Sequence, residues 1–340
     1  MKIIVDAFGG DHAPLEILKG SAMAVSEYGV EILLTGDEET IRKCAADNGI
    51  SLEKMEIVHA SQVMDMNAEP TEVLKEYKDS SLAVGLKLLS EGKGDAFVSA
   101  GSTGAVLVGA TLIVKRIKGI KRAALAPVIP TTEGRYMLID CGANAECRPE
   151  MLVQFGIMGS AYMNKIMGVE NPRVALINNG TEEHKGAPLQ QEAYQQLKNS
   201  SLNFVGNIEA REIPVGGCDV AVCDGFTGNV VLKLTEGLSK ALVGQIKGIL
   251  TKNIVTKLAA LTLKSGLADF KKNMDYKEYG GAALMGISKP VVKAHGNSDA
   301  KAFKNAIGQA VKFTENGVIE AIQGYLAEMK AKAAEEQGAE

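Results

Sequence analysis

No stretch of about 18 consecutive apolar residues occurs in the chain, so the sequence offers no membrane span. No excess of positive charge exists either. The net charge is -4 and no arginine-rich stripe is visible, which argues against a nucleic-acid binder. Tryptophan is absent and aromatics are few, whereas glycine occurs 37 times, so the backbone turns tightly in many places. No C-x-x-C pair occurs among the five cysteines, Cys44, Cys141, Cys147, Cys218 and Cys223. An odd count without that spacing reads as reduced thiols rather than a disulfide or zinc framework. Asp6 follows the start almost at once, which leaves no room for a signal peptide. These absences together lead us to expect a soluble, cytoplasmic protein.

Familiar catalytic signatures are missing as well. There is no G-x-G-x-x-G at a strand-to-helix turn, no G-x-x-x-x-G-K-[ST], no H-E-x-x-H and no G-x-S-x-G. A standard covalent nucleophile does not announce itself.

What is present is an alternation of short apolar runs with helical stretches. The runs KIIVD, VEILLTG, MEIVHA, DAFVSA, RYMLID, RVALIN and DVAVCDG read apolar almost throughout. Strands buried on both faces look like that, so we expect a doubly wound α/β fold with a mostly parallel sheet. Pro14–Tyr28, Glu38–Asn48 and Gly104–Lys115 read as helices between them, and the last fifteen residues as a long helix that frays. At roughly 150 residues per domain, 340 residues make two lobes or one large domain. Without a linker or repeat, we expect one α/β domain over 1–340.

The strands run into small or polar residues: DAFGGDHAP, SAGSTGA, DCGAN, NNGTEEHKGAP and DGFTGN. In open parallel sheets ligands bind beyond the carboxyl ends of the strands. Five such ends can build one polar site from exposed amides, although each alone is equally a plain turn. In SAGSTGAV, Gly101 and Gly104 admit a ligand to the backbone, and Ser102 and Thr103 offer hydroxyls at a helix start. The same two residues also suit ordinary N-capping. In INNGTEEHKGAP, Lys185 beside Gly186 can reach an anion, unless the loop is merely a solvated one. Cys223 ends a strand, where either an acyl-cysteine or an inert buried thiol is conceivable. No histidine lies near it in sequence to lower its pKa, which favours the inert reading.

Taken in order, these stretches resemble one family, the bacterial fatty acyl-ACP:phosphate acyltransferases of phospholipid synthesis (PlsX). D-A-M-G-G-D-x-A-P corresponds to Asp6–Pro14 with Phe8 for methionine, and S-A-G-N-T-G-A to Ser99–Ala105 with Ser102 for asparagine. D-x-G-A-N corresponds to Asp140–Asn144, N-x-G-x-E-x-x-K-G to Asn178–Gly186, and D-G-F-x-G-N-V to Asp224–Val230. Y-G-G-A and H-G-x-S correspond to Tyr279–Ala282 and His295–Ser298. The resemblance implies a homodimeric three-layer α/β/α protein with a Rossmann-like sheet, related to phosphotransacetylase and to isocitrate and isopropylmalate dehydrogenases. It implies attack of inorganic phosphate on the thioester of a long-chain acyl-ACP, with neither cofactor nor metal. Under that reading His12, Lys185 and Asn229 are the expected catalytic residues. Ser99, Gly101, Ser102, Thr103, Gly104, Asn144 and Gly228 are expected to bind phosphate. Asp6 and Asp11 are expected to brace the first turn, since bare carboxylates repel phosphate. Competing expectations are a phosphotransacetylase for short acyl-CoA, a decarboxylating dehydrogenase, and a non-catalytic ACP-binding membrane scaffold.

From Ile246 to Lys272 there are six lysines and one acid, Asp269. Leu250, Ile254, Leu258 and Leu261 share one helical face, bordered by Lys247 and Lys257. We expect a protruding amphipathic helical segment at about 246–275 that meets an anionic membrane surface or ACP. Peripheral attachment to the inner face of the cell membrane would bring it near a membrane-bound glycerol-3-phosphate acyltransferase.

Overall fold

The computed structural model describes residues 1–263, Gly266 and 280–338. Every strand read from the sequence is present. They are β1 (Lys2–Asp6), β2 (Glu31–Gly36), β3 (Met55–His59), β4 (Ala96–Ser99), β7 (Arg135–Ile139), β8 (Val174–Asn178) and β10 (Val220–Val222). The sequence reading missed β5 (Ala124–Ala126), β6 (Val128–Pro130), β9 (Phe204–Glu209), β11 (Gly281–Met285) and β12 (Val291–Ala294).

The strands form two sheets instead of one. Seven run in the order β3-β2-β1-β4-β12-β11-β5 and five in the order β6-β7-β10-β8-β9. Pairing is parallel except around β11 and between β6 and β7. The chain changes sheet at Pro127, the single residue between β5 and β6. Pro127 has no amide to give a ladder, but its carbonyl accepts from Leu138 N at 3.1 Å. The step hides in the sequence because ALAPVIP reads as one short apolar run.

Side chains alternate across the first sheet, as a two-residue period requires. Ile3 and Val5 face α1 (Leu15–Tyr28) and the helix Ala300–Glu315, whereas Ile4 faces α3 (Ser81–Ser90). Between these helices α2 (Glu38–Asp47) begins at Asp37, whose carboxylate accepts from Thr40 N at 2.9 Å. On the second sheet, Met137 and Val220 pack on α5 (Pro149–Met167) and the helix Val318–Gly338. That cluster also holds Ala124, Ala126, Ala283 and Met285 of the first sheet, so both sheets share it. The expected helix Gly104–Lys115 is α4 (Thr103–Gly109) followed by a wider π-type turn, Ala110–Val114.

After α6 (Pro188–Lys198), the 26-residue α7 (Gly225–Leu250) carries an exposed apolar row. Phe226, Val230, Leu234, Leu238, Leu242 and Ile246 recur every four residues along it. The exposed apolar surface therefore starts well before Ile246. Within the described residues the expected amphipathic segment is not a single helix. α7 ends at Leu250 and α8 (Ile254–Thr262) starts afresh from a capping box between Asn253 and Thr256. Ile254, Leu258 and Leu261 are exposed, and Leu250 is half-buried. Asp269 and the remaining lysines of that segment, Lys264, Lys271 and Lys272, lie outside the described residues, as does Tyr279. Among the described residues no helix is long and apolar enough to cross a membrane.

Candidate active site

The first turn is built around a buried acid. Asp6 ends β1, and its carboxyl accepts from Phe8 N at 3.2 Å and from Ser99 Oγ at 2.6 Å. Burial raises its pKa above the ordinary carboxylate range, against hydrogen bonds from Ser81, Ser99 and Phe8 that favour the charge. Ser99 Oγ in turn accepts from Gly101 N at 3.0 Å. Gly9 lies so close that a Cβ there would stand 2.6 Å from both Asp6 Oδ2 and Gly101 N. Asp11 N donates to Gly296 O at 2.8 Å. The Asp6 carboxyl thus ties the first turn to the turn after β4, as the sequence suggests, and Asp11 joins it to the turn after β12 through its backbone amide.

A second buried acid organises the other sheet. Asp140 accepts from Leu125 N at 2.9 Å, Ala143 N at 3.2 Å, Asn144 N at 2.7 Å and Asn144 Nδ2 at 2.9 Å. Burial raises its pKa too, opposed by these donors. The first turn of α7 rests on this knot. Gly225 N donates to Asn144 O at 2.7 Å, and a Cβ on Gly228 would fall 1.8 Å from Asp140 O. Asp224 caps the helix through Thr227 N at 2.8 Å.

Between the two knots lies a cavity of about 440 Å³. Its polar lining includes Gly101, Thr103, Asn229, Lys233, Glu236, Lys293, His295 and Ser298. Its apolar lining includes Leu125, Pro127, Val128 and Ile129 from the sheet crossing and Leu232 from α7, one turn on from Asn229. Lys293 is only 7% exposed. Its ammonium donates to Ala100 O at 3.3 Å and to Ala294 O. His295 is held below its ordinary pKa, chiefly by burial.

Of the residues expected at the site, Gly101, Thr103 and Asn229 line this cavity. The others do not. Ser99 is fully buried and its hydroxyl is committed to Asp6 and Gly101, so its work is to shape the turn. Asn144 Nδ2 is spent on Ala123 O at 2.7 Å and on Asp140. Gly228 serves the close seat of α7, and Gly104 lets α4 approach Pro70, 2.6 Å from the position of a Cβ. Ser102 precedes α4 without a side-chain cap bond. His12 is exposed. Lys185 is half-buried in the loop after β8, where Asn178 Nδ2 holds its carbonyl at 3.0 Å. β8 and β10 are parallel neighbours, so this loop leaves the same sheet edge as the turn leading to Asn229.

Sequence reasoning missed Lys293 and the apolar lining. Lys293 interrupts the short run VVKA and hides its strand, and Leu125, Val128 and Ile129 lie on strands of three residues. Cys223, by contrast, is the inert thiol the sequence favours. It is buried, and burial drives its pKa well up, helped by neighbouring Cys141, Asp224 and Asp140.

Two mostly parallel sheets with a cavity at their strand ends define an α/β fold shared with phosphotransacetylases. The structure resembles a phosphotransacetylase from Streptococcus pyogenes with a TM-score of 0.65 at 20% identity, covering 95% of this chain and 94% of that one. A branched-chain phosphotransacylase from Enterococcus faecalis superposes with a TM-score of 0.58 at 13% identity, covering 93% and 99%. Residues 1–321 match the profile of the family described as "Fatty acid synthesis protein", and the chain belongs to that family. A phosphate acyltransferase of Alkaliphilus oremlandii is 51% identical over 322 residues, 95% of this chain and 96% of the relative. Another, from Caldanaerobacter subterraneus, is 48% identical over 324 residues, with coverage of 95% and 96%.

Proposed function

We propose that the chain transfers the acyl group of a long-chain fatty acyl-ACP to inorganic phosphate, giving acyl phosphate and holo-ACP. The observation that carries this reading is a cavity at the strand ends lined by both a polar set and an apolar set of residues. A phosphate and a thioester carbonyl fit the first, and a hydrocarbon chain fits the second. Phosphate is the nucleophile: one of its oxygens bonds to the carbonyl carbon, the C–S bond breaks, and the electron pair leaves on sulfur. A thiol with a pKa of about 8.5 departs as thiolate and takes its proton from water. The protein's task is to hold the two reactants together and to aim donors at the developing oxyanion, each worth about 3 kcal/mol in known cases. The Thr103 hydroxyl and the Asn229 amide are the donors in this reading, and Gly101, whose N–H is held by Ser99 Oγ, lets the backbone approach the ligand. Lys185 and His12 act from outside the cavity wall, Lys185 as a second cation for phosphate.

The test is an assay of acyl phosphate, trapped with hydroxylamine, from palmitoyl-ACP and from acetyl-CoA in parallel. Product from palmitoyl-ACP supports the proposal. Product from acetyl-CoA alone would make the chain a short-chain phosphotransacetylase, and none from either substrate would leave the scaffold reading. Because phosphate attacks directly, Cys223→Ser is expected to keep more than about half of the wild-type rate. Intact mass spectrometry with acyl-ACP checks this, and an acyl adduct on Cys223 would overturn direct attack.

The exposed row on α7 supports a second copy of this chain as its cover, giving a homodimer. The apolar face of α8, with Lys252 and Lys257 near it, supports docking on an anionic membrane surface or on ACP. Attachment there would place the acyl phosphate beside a membrane-bound glycerol-3-phosphate acyltransferase. Leu258 is 61% exposed. Leu258→Glu is expected to reduce co-sedimentation with phosphatidylglycerol vesicles by roughly tenfold while dimer mass and soluble activity hold. Loss of ACP affinity with vesicle binding intact would assign the face to the protein partner.

A further inference from the structure

We propose that Lys293, with Ser298 of the same cavity, is the group that holds the anionic nucleophile. The inference rests on the reading of the cavity as the site of acyl transfer to phosphate.

A lysine so deeply buried is expensive unless it is paired with a counter-charge. Among the described residues Lys293 makes no ion pair. Its two hydrogen bonds go to backbone carbonyls, Ala100 O and Ala294 O. An ammonium has three N–H groups, so one is left for another acceptor. The residue lines the cavity, and β12 places it opposite Ser99 in the parallel ladder with β4. That register sets its head beside the Ala100–Gly101 turn, where the cavity is polar.

Ser298 supplies the second, independent observation. It lines the same cavity, its Oγ is buried, and that hydroxyl has no hydrogen-bond partner among the described residues. Native proteins seldom leave such a group unsatisfied without a use. An ammonium with a spare N–H and a hydroxyl with a spare O–H, in one cavity, make a donor pair for a tetrahedral oxyanion. Phosphate is the nucleophile that such a pair fits.

The charge state follows from the surroundings. Burial pulls the lysine down to about 8, against Asp6 at the end of β1 and Asp11 in the first turn, which favour its charge. Lys233 on α7 opposes the charge. Glu236 on α7 and His295 next to Lys293 also face this end of the cavity. Lys293 is therefore cationic at neutral pH and loses its charge as the pH rises through about 8.

The experiment is steady-state kinetics of the full-length protein with inorganic phosphate varied at saturating acyl-ACP, from pH 7 to pH 9. Lys293→Met is expected to raise the phosphate KM at least about tenfold, as the loss of a charged hydrogen bond does, while the acyl-ACP KM changes less than about twofold. Wild-type phosphate KM is expected to climb above pH 8, and Lys293→Arg to flatten that climb. Ser298→Ala is expected to raise the phosphate KM about fivefold, as the loss of a neutral hydrogen bond does. A lysine of purely structural use would lower kcat or the folded fraction and leave the phosphate KM alone. A phosphate KM within about twofold of wild type in folded Lys293→Met overturns the proposal. If Lys293→Met does not fold, an unchanged pH profile in Lys293→Arg overturns it. If the wild type makes no acyl phosphate, the reading of the function fails, and the site is judged by phosphate binding alone. Broadening of the inorganic phosphate ³¹P line by wild type but not by Lys293→Met would then sustain it, and equal broadening by both would reject it.

Discussion

Asp140→Ala is expected to lower the unfolding free energy by about 3 kcal/mol or more and to reduce activity more than roughly tenfold. The carboxylate accepts from three backbone amides, those of Leu125, Ala143 and Asn144, and from the Asn144 side chain. Each donor left unpaired and out of water costs about 1–3 kcal/mol, and Asn144 Nδ2 alone retains another acceptor, Ala123 O. Activity falls with stability because the same knot fixes Gly142 and the base of α7, from which Asn229 reaches the cavity. Urea unfolding monitored by circular dichroism measures the first effect. Asp140→Asn, which keeps one acceptor oxygen, is expected to lose less. An Asp140→Ala protein within about 1 kcal/mol of wild type would show that water replaces the carboxylate at no great cost.

The second large effect is Gly228→Ala, where two physical effects oppose each other. Helix propensity favours alanine over glycine by about 1 kcal/mol in a helix interior. Packing disfavours it, because the new methyl would sit 1.8 Å from Asp140 O, a backbone atom that cannot swing aside. Overpacking of a close-fitted contact costs about 1–3 kcal/mol, and more where backbone meets backbone. Packing is expected to win, with a net loss of about 2 kcal/mol and a marked fall in activity. Gly237 and Gly244 lie on the same helix with nothing within 4 Å of a Cβ. Their alanine variants are expected to gain up to about 1 kcal/mol. Thermal melts of the three variants decide the matter by sign alone, and stabilisation of all three would refute the seating argument.

Much of the architecture was legible because burial on both faces leaves long apolar runs, and the seven such runs are strands. What escaped was short or interrupted. β5 and β6 share seven residues with a proline between them, and β12 carries a lysine in its middle. Of the polar strand ends singled out in the sequence, those after β4 and β10 bring Gly101, Thr103 and Asn229 to the cavity, while the spacing alone does not say which of the ends face it. Ser99 and Asn144 look like ligand donors in the sequence, and only their hydrogen bonds reveal that they hold turns. Lys293 carries no motif of its own, and its place follows only from β12 lying between β4 and β11. A one-dimensional pattern gives residue type and spacing. It does not give the partner a polar group has already found.

The placement of β12 also governs when the molecule can assemble. Lys293 bonds to a residue 193 positions earlier, and β12 is the strand that joins β4 to β11. During synthesis β1, β2 and β4 can pair as soon as they emerge, but the β4 edge stays open until nearly the whole chain is made. Such long-range closure is slow and leaves an unpaired hydrophobic edge exposed to other nascent chains. A ribosome-stalled or truncated product ending before Val291 would hold a partly built sheet without the lysine. A fragment that ends before Val291 therefore lacks this part of the cavity, which closes only after most of the chain has been made.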